Sequence, residues 1–201
     1  MEFHKHREVQ GMHATLSASK YSWVNKDDDA IIEMISNQVA TTLGTRLHAW
    51  AAEAIELKLR QGSAKTTLNM YINDAIKFRM TPEQVVFYSR NIFGTADAIS
   101  YRAQPKTGRW LLRIHDLKTG TSKASFLQLM IYAAIFCHEY SILPGQIDIE
   151  LRIYQNDEIY ICTTIDTPET EILDLALLIQ IMGKIKHNDE LIEKVREEAA
   201  A

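Results

Sequence analysis

The apolar period changes at Met80-Thr-Pro82, and that change limits what the chain can fold into. Upstream, Ile31, Ile35, Val39 and Leu43 recur at helical spacing, followed by Leu47, Trp50, Ala51, Ala54 and Ile55. This predicts a long helix over 30–59, with Gly44 as a point of interruption, and a second helix over 66–78. Ser17 or Ser19 caps a short helix within 13–23. Downstream the pattern becomes strand-like over 84–89, 93–102 and 109–118. The last two strands form an antiparallel hairpin through Gln104-Pro-Lys-Thr-Gly108. A helix over 123–139 ends at Leu143-Pro-Gly145, and a second hairpin joins 148–154 to 158–164. Asp166-Thr-Pro168 opens the last helix, with Pro168 in the first turn. That helix runs to about 183–186, and 187–201 is a charged, solvated tail. The order predicts a mixed α/β (α+β) fold, a central mixed β-sheet flanked by helices, in one domain over 1–186.

Composition narrows the function classes. The formal net charge is −4, so the chain is not a basic nucleic-acid coat, although a local basic groove stays open. Cys137 and Cys162 are the two cysteines and form no CxxC, so neither a disulfide framework nor a zinc or iron–sulfur signature is present. A reducing cytoplasmic setting follows (the host cytoplasm, for a phage-encoded chain). No apolar run reaches membrane-spanning length, and the polar start MEFHKHREVQ has no signal-peptide core. No Walker loop, GxGxxG, HExxH or GxSxG occurs.

The chemistry concentrates on two predicted strands. On the second, Asp116 and Lys118 share a face, and Leu117 points to the other. Asp97 approaches that same face across the hairpin. Paired carboxylates repel unless a cation lies between them, and hard divalent cations such as Mg²⁺ and Mn²⁺ take oxygen ligands. A bound cation acidifies water and stabilises charge at phosphorus, with Lys118 beside that water. The plainer reading of any lone D-x-K is a surface ion pair. Leu111, Leu112 and Ile114 make a buried-type strand, which favours the site. Gln128 and Tyr132 share a helix face (i, i+4) and are either a boundary pair or aimed at substrate or Lys118. His48 is either a packed histidine or a nitrogen ligand that biases the site toward Mn²⁺. Glu53 lies roughly 140° around the helix from His48, at the rim of any site. His115 faces away from Asp116 and is assigned to packing. Asp27-Asp28-Asp29 reads as a helix-initiating acidic run. Lys123, Arg46, Arg102 and Lys106 are either surface charges or the lining of a phosphate path.

Four blocks in order carry a family resemblance: Gly44 with His48, Gly94 with Asp97, Asp116-Leu-Lys118 followed by Thr119-Gly120, and Gln128 with Tyr132. Together with the opening Leu16-Ser-Ala-Ser19, they span about two thirds of the chain. The chain resembles the PD-(D/E)XK nuclease superfamily, in its RecB-like and phage-exonuclease branch. The resemblance implies a restriction-endonuclease-like core and a Mg²⁺- or Mn²⁺-dependent DNA nuclease. An exonuclease is expected rather than an endonuclease, acting in recombination, repair or phage DNA metabolism. It implies His48, Asp97, Asp116 and the backbone carbonyl of Leu117 as metal ligands. Lys118 would position the attacking water, Gln128 and Tyr132 would contact DNA or brace the lysine, and Lys123 would contact substrate. Glu53 is an accessory candidate, because Ala52 stands where many relatives carry a glutamate. DNA is the implied partner, with homo-oligomers known among relatives. A helicase or recombinase would be a separate chain. The competing reading is a catalytically inactive DNA-end or protein-binding module of the same fold.

Overall fold

The computed structural model describes Arg7 and residues 13–105, 107–120, 125–168 and 170–200. They belong to two compact units, Met1–Thr45 and Arg46–Ala201. In the first unit, Ala18–Asn25 forms a 3-10 helix whose N-cap Ser17 accepts from the Ser19 N–H. The Trp23 indole donates to the Ser17 carbonyl at 3.0 Å. Asp27 Oδ1 accepts from Ala30 N at 2.9 Å, which caps helix α1 (Asp28–Glu56). The acidic run therefore starts a helix, as the sequence implies. Gly44 does not interrupt α1. One interior glycine costs only about 1 kcal/mol, too little to break a helix of this length.

In the second unit a six-stranded mixed sheet runs in sequence order, β1 to β6. The strands are β1 (Thr81–Phe87), β2 (Phe93–Ala103), β3 (Trp110–Leu117), β4 (Asp148–Gln155), β5 (Glu158–Thr163) and β6 (Glu171–Ile172). β1, β2 and β3 form an antiparallel meander. β3 and β4 are parallel, joined through helix α3 (Leu127–Glu139), because parallel neighbours need a crossover. β4 and β5 close the second hairpin.

Alternation along the strands divides the core between the two sheet faces. Leu112, Ile114, Ile149, Leu151 and Ile153 face α3 and helix α4 (Leu175–Ala200). Leu117 and Tyr154 face the other way, onto Ala51, Ala54 and Ile55 of α1 and Tyr71, Ile72 and Ala75 of helix α2 (Thr67–Lys77). Buried residues on both faces of β3 hold the end of that strand rigidly, and the charged residues sit there.

Three boundaries differ from the sequence reading. β1 begins at Thr81 and includes Pro82, which is tolerated because β1 is an edge strand. The last helix begins at Leu175 rather than at Asp166–Pro168. Asp174 Oδ1 accepts from Ala176 N and Leu177 N at 2.9 and 3.0 Å, and this cap directly precedes the apolar period Leu178, Ile181, Ile185. The segment before it forms β6 instead, parallel to β5. α4 then continues through the charged segment to Ala200, and Asp189 accepts from Ser89 and Asn91 of the β1–β2 turn. The expected helix over 123–139 begins at Leu127; residues 121–124 lie outside the described residues.

Leu112 is fully buried under α3, whereas Val85 on the edge strand is about half exposed. Leu112→Ala is expected to destabilise by about 2–5 kcal/mol in urea unfolding. Val85→Ala should stay within about 0.5 kcal/mol.

Candidate metal centre

Strand register brings three carboxylates to one level of the sheet. β1 pairs with β2 at Pro82↔Ala98 and Gln84↔Ala96, which sets Glu83 opposite Asp97. β2 pairs with β3 from Ala98↔His115 onward, which sets Asp97 beside Asp116. Neighbouring strands lie about 4.8 Å apart, so Glu83, Asp97 and Asp116 form a row across three strands. The ladder is not regular there. Glu83 has φ 48°, a left-handed conformation that is strained for a side-chain-bearing residue. Asp97 Oδ2 accepts from Leu117 N at 2.8 Å, so a side chain replaces a backbone partner.

His48, on the part of α1 packed beside the sheet, closes the group. Its Nδ1 lies 3.4 Å from Asp97 Oδ2. Single ligand atoms of His48, Glu83 and Asp97 all fall within 4.8 Å of one another, and this group could hold a metal ion. In octahedral coordination at about 2.0–2.1 Å, ligand atoms lie roughly 3.0–4.2 Å apart. The His48–Asp97 separation falls in that interval, and the group as a whole needs only small side-chain adjustment.

Asp116 is 3% exposed and lies next to this group. The Lys118 ammonium is 3.0 Å from each of its oxygens but donates only to Oδ1. Oδ2 is buried without a hydrogen bond. This oxygen keeps its ion pair with Lys118 but accepts no hydrogen bond, so it retains lone-pair capacity that a cation could use. The donor set of an imidazole and carboxylates, with this oxygen beside it, fits a divalent cation.

Electrostatics agree with the geometry. Burial raises the Asp116 carboxyl, and Asp97 raises it further, against the lowering effect of Lys118. Burial and Asp97 also raise Glu83. The Asp97 carboxylate raises His48 through its side-chain contact, against the lowering effect of burial. Without a cation, the row therefore resists full ionisation.

Lys118 links the acids to α3. Its ammonium donates to Gln128 Oε1 at 2.9 Å, and Gln128 Nε2 donates to Tyr132 Oη at 3.0 Å. Only the amide oxygen can accept from an ammonium, so the chemistry fixes the amide orientation. Gly94 on β2 makes room for this chain: a Cβ there would lie 2.7 Å from Tyr132 Cε1. The glycine spacing noted in the sequence thus has a steric cause. A cavity of about 240 Å³ adjoins Lys118, lined by Leu47, Thr67, Leu68, Leu117, Thr119 and Asn156.

The structure therefore brings together His48, Asp97, Asp116, Lys118, Gln128 and Tyr132. Leu117 lies between the acid and the lysine. Glu53 is exposed and stands apart from the clustered ligands. Lys123 lies outside the described residues. His115 is fully buried on the other face, where Tyr154 Oη meets its Nδ1 at 3.2 Å. Burial lowers its pKa well below the usual value, and Arg152 and Arg113 lower it further.

Sequence reasoning missed Glu83. Its signal was Pro82-Glu83 just before an alternating run, which reads equally well as a helix stop.

Two outcomes follow. Gly94→Ala should displace Tyr132 and loosen the Lys118–Gln128 contact while leaving the fold intact, checked by crystallography and near-ultraviolet circular dichroism. The second concerns pH. A carboxyl raised in the folded state binds more protons folded than unfolded, so stability falls as pH rises from its unfolded pKa through its folded one. His48, also raised, adds stability below about pH 6.5 that is lost as pH rises through its folded value. In EDTA, Asp116→Asn should therefore raise Tm near pH 7, by about 2–4 °C per kcal/mol relieved. The parent protein should gain in Tm on addition of Mn²⁺, and the variant should not. Differential scanning calorimetry with and without Mn²⁺ checks both.

No protein-family model and no curated protein matches the chain. Among solved structures, SSO0001 is similar at a TM-score of 0.33 and 15% identity, over 76% of this chain and 61% of that one. Similarity at that level carries no argument about function.

Proposed function

We propose that the protein is a metal-dependent DNA nuclease of the PD-(D/E)XK type, most simply an exonuclease that uses Mg²⁺ or Mn²⁺. The observation that carries this reading is the row Glu83–Asp97–Asp116 with Lys118 on its buried member. His48, Glu83, Asp97 and Oδ2 of Asp116 would hold the cation. The imidazole ligand favours Mn²⁺ over Mg²⁺. A bound divalent ion supplies an acidified water and offsets negative charge developing on the phosphate.

The chain's own residues do the positioning. The acids alone would repel a phosphodiester, so Lys118 is the nearby positive group that can face both water and phosphate. Gln128 holds Lys118 by its amide oxygen, and Tyr132 fixes Gln128 in turn. A lysine fixed at two points loses little further entropy when it engages a water. Asp97 is fixed by its bond to Leu117 N, so its free oxygen is directed and His48 is oriented with it.

Labelled linear DNA with Mn²⁺ or Mg²⁺ tests the reading. The parent protein should release nucleotides from the ends and leave closed circular DNA intact. Asp116→Ala should abolish both metal binding and cleavage. Lys118→Ala should lower turnover about 10²–10⁴-fold while keeping metal affinity, measured by calorimetric titration with Mn²⁺. Undiminished cleavage by Asp116→Ala would sink the assignment.

A further inference from the structure

A second charged feature lies at the far end of the β2–β3 hairpin. Lys77 and Arg79, at the end of α2, converge with Arg102 of β2 and Arg113 of β3 on a cavity of about 860 Å³. None of its described lining residues is acidic. Arg113 is anchored by Glu150 at 2.8 Å, and its guanidinium lies 4.3 Å from the centroid of the Phe78 ring. Lys77 Nζ lies 5.1 Å from the same centroid. The ring's negative face gathers cations that would otherwise separate.

Charge balance distinguishes this group from an ordinary surface. Arg113 shares Glu150 with Arg152, and Arg152 also pairs with Asp74. Lys77, Arg79 and Arg102 take part in no ion pair among the described residues, and all three are exposed. Arg102 instead donates to the Arg79 backbone carbonyl at 3.2 Å, which ties the Arg102 side chain to the end of α2. Arg79 itself has φ 53°, in a helix-ending position that favours glycine or asparagine. Three unpaired cations thus share one concave surface on a chain whose formal net charge is −4. Such a concavity attracts a polyanion, and repulsion among its members falls when one binds.

The occupant follows from the distance to the acids. Five residues of β2 separate Asp97 from Arg102, about 17 Å at roughly 3.3 Å per residue. That corresponds to about five phosphate steps along one strand of a duplex. An acidic centre repels its own polyanionic substrate, so affinity must come from cations set away from it. We propose that Lys77, Arg79 and Arg102 form a nucleic-acid backbone site, which holds phosphates about five steps away from the one at the acidic centre. This rests on the nuclease reading above.

The test uses the full chain and a fluorescein-labelled DNA oligonucleotide, single- and double-stranded, in EDTA so that no cleavage occurs. Anisotropy titrations over a range of KCl give the salt slope. Lys77→Gln/Arg79→Asn/Arg102→Gln should lower the slope by about 2–3, since each lost cation accounts for about 0.7–0.9. Arg79→Lys/Arg102→Lys keeps the charge and should keep the slope, which separates electrostatics from a folding defect. An unchanged slope in the triple variant overturns the site and leaves the cations as a solvated helix end; so does absence of DNA binding by the parent protein. Hydrolysis of bis(p-nitrophenyl) phosphate with Mn²⁺ reports the acidic centre alone and should be equal in parent and triple variant. If the parent shows no such hydrolysis and no DNA cleavage, the nuclease reading fails while the salt slope still decides this site.

Discussion

The repulsion among Glu83, Asp97 and Asp116 is the constraint around which this end of the molecule is arranged. Two unit charges 4 Å apart interact at about 4 kcal/mol under an effective dielectric of 20, so neighbouring carboxylates on adjacent strands repel one another strongly. The structure meets this load locally. Leu117 N binds Asp97, Lys118 lies over Asp116, and His48 approaches Asp97. Burial first, and then the Asp97 charge, still raise the Asp116 and Glu83 carboxyls, so these contacts offset only part of the load. A divalent cation is the chemical group that would remove the remainder.

The surrounding fold keeps the row from relaxing. β3 is packed on both faces, so Asp116 cannot swing into water without disturbing Ile114 or Leu117. The parallel β3–α3–β4 crossover returns α3 over the same strand, which brings Gln128 to Lys118. Gly94 lets Tyr132 lie close to β2. Acids, lysine, amide and phenol are thus coupled through rigid elements, and each side chain has few alternatives. This rigidity keeps the lysine in place.

Much of this was legible in the chain. The period change at residue 80, the Pro–Gly hairpin and the D-x-K strand are local patterns, set by residues a few positions apart. The i, i+4 spacing of Gln128 and Tyr132 predicted a shared face, and the structure joins them by a hydrogen bond. Boundaries were less legible where two signals competed. Pro168 and Asp174 both look like helix starts, and the one directly followed by the apolar period prevailed. Glu53, a candidate because Ala52 stands where many relatives carry a glutamate, is exposed, in keeping with its turn of roughly 140° around the helix from His48.

Element types, the mixed sheet and most of the charged residues at its end can be read along the chain, because periodicity and turn chemistry act over a few residues. Which acids meet depends on three-dimensional packing. Glu83 stands opposite Asp97 through the pairing of an edge strand whose start a proline obscured, and Asp116 Oδ2 is left without a donor by three-dimensional packing. Likewise Lys77 and Arg102, far apart in the chain, meet only because α2 ends over the β2–β3 hairpin. Register and burial join distant residues, and no local pattern encodes them.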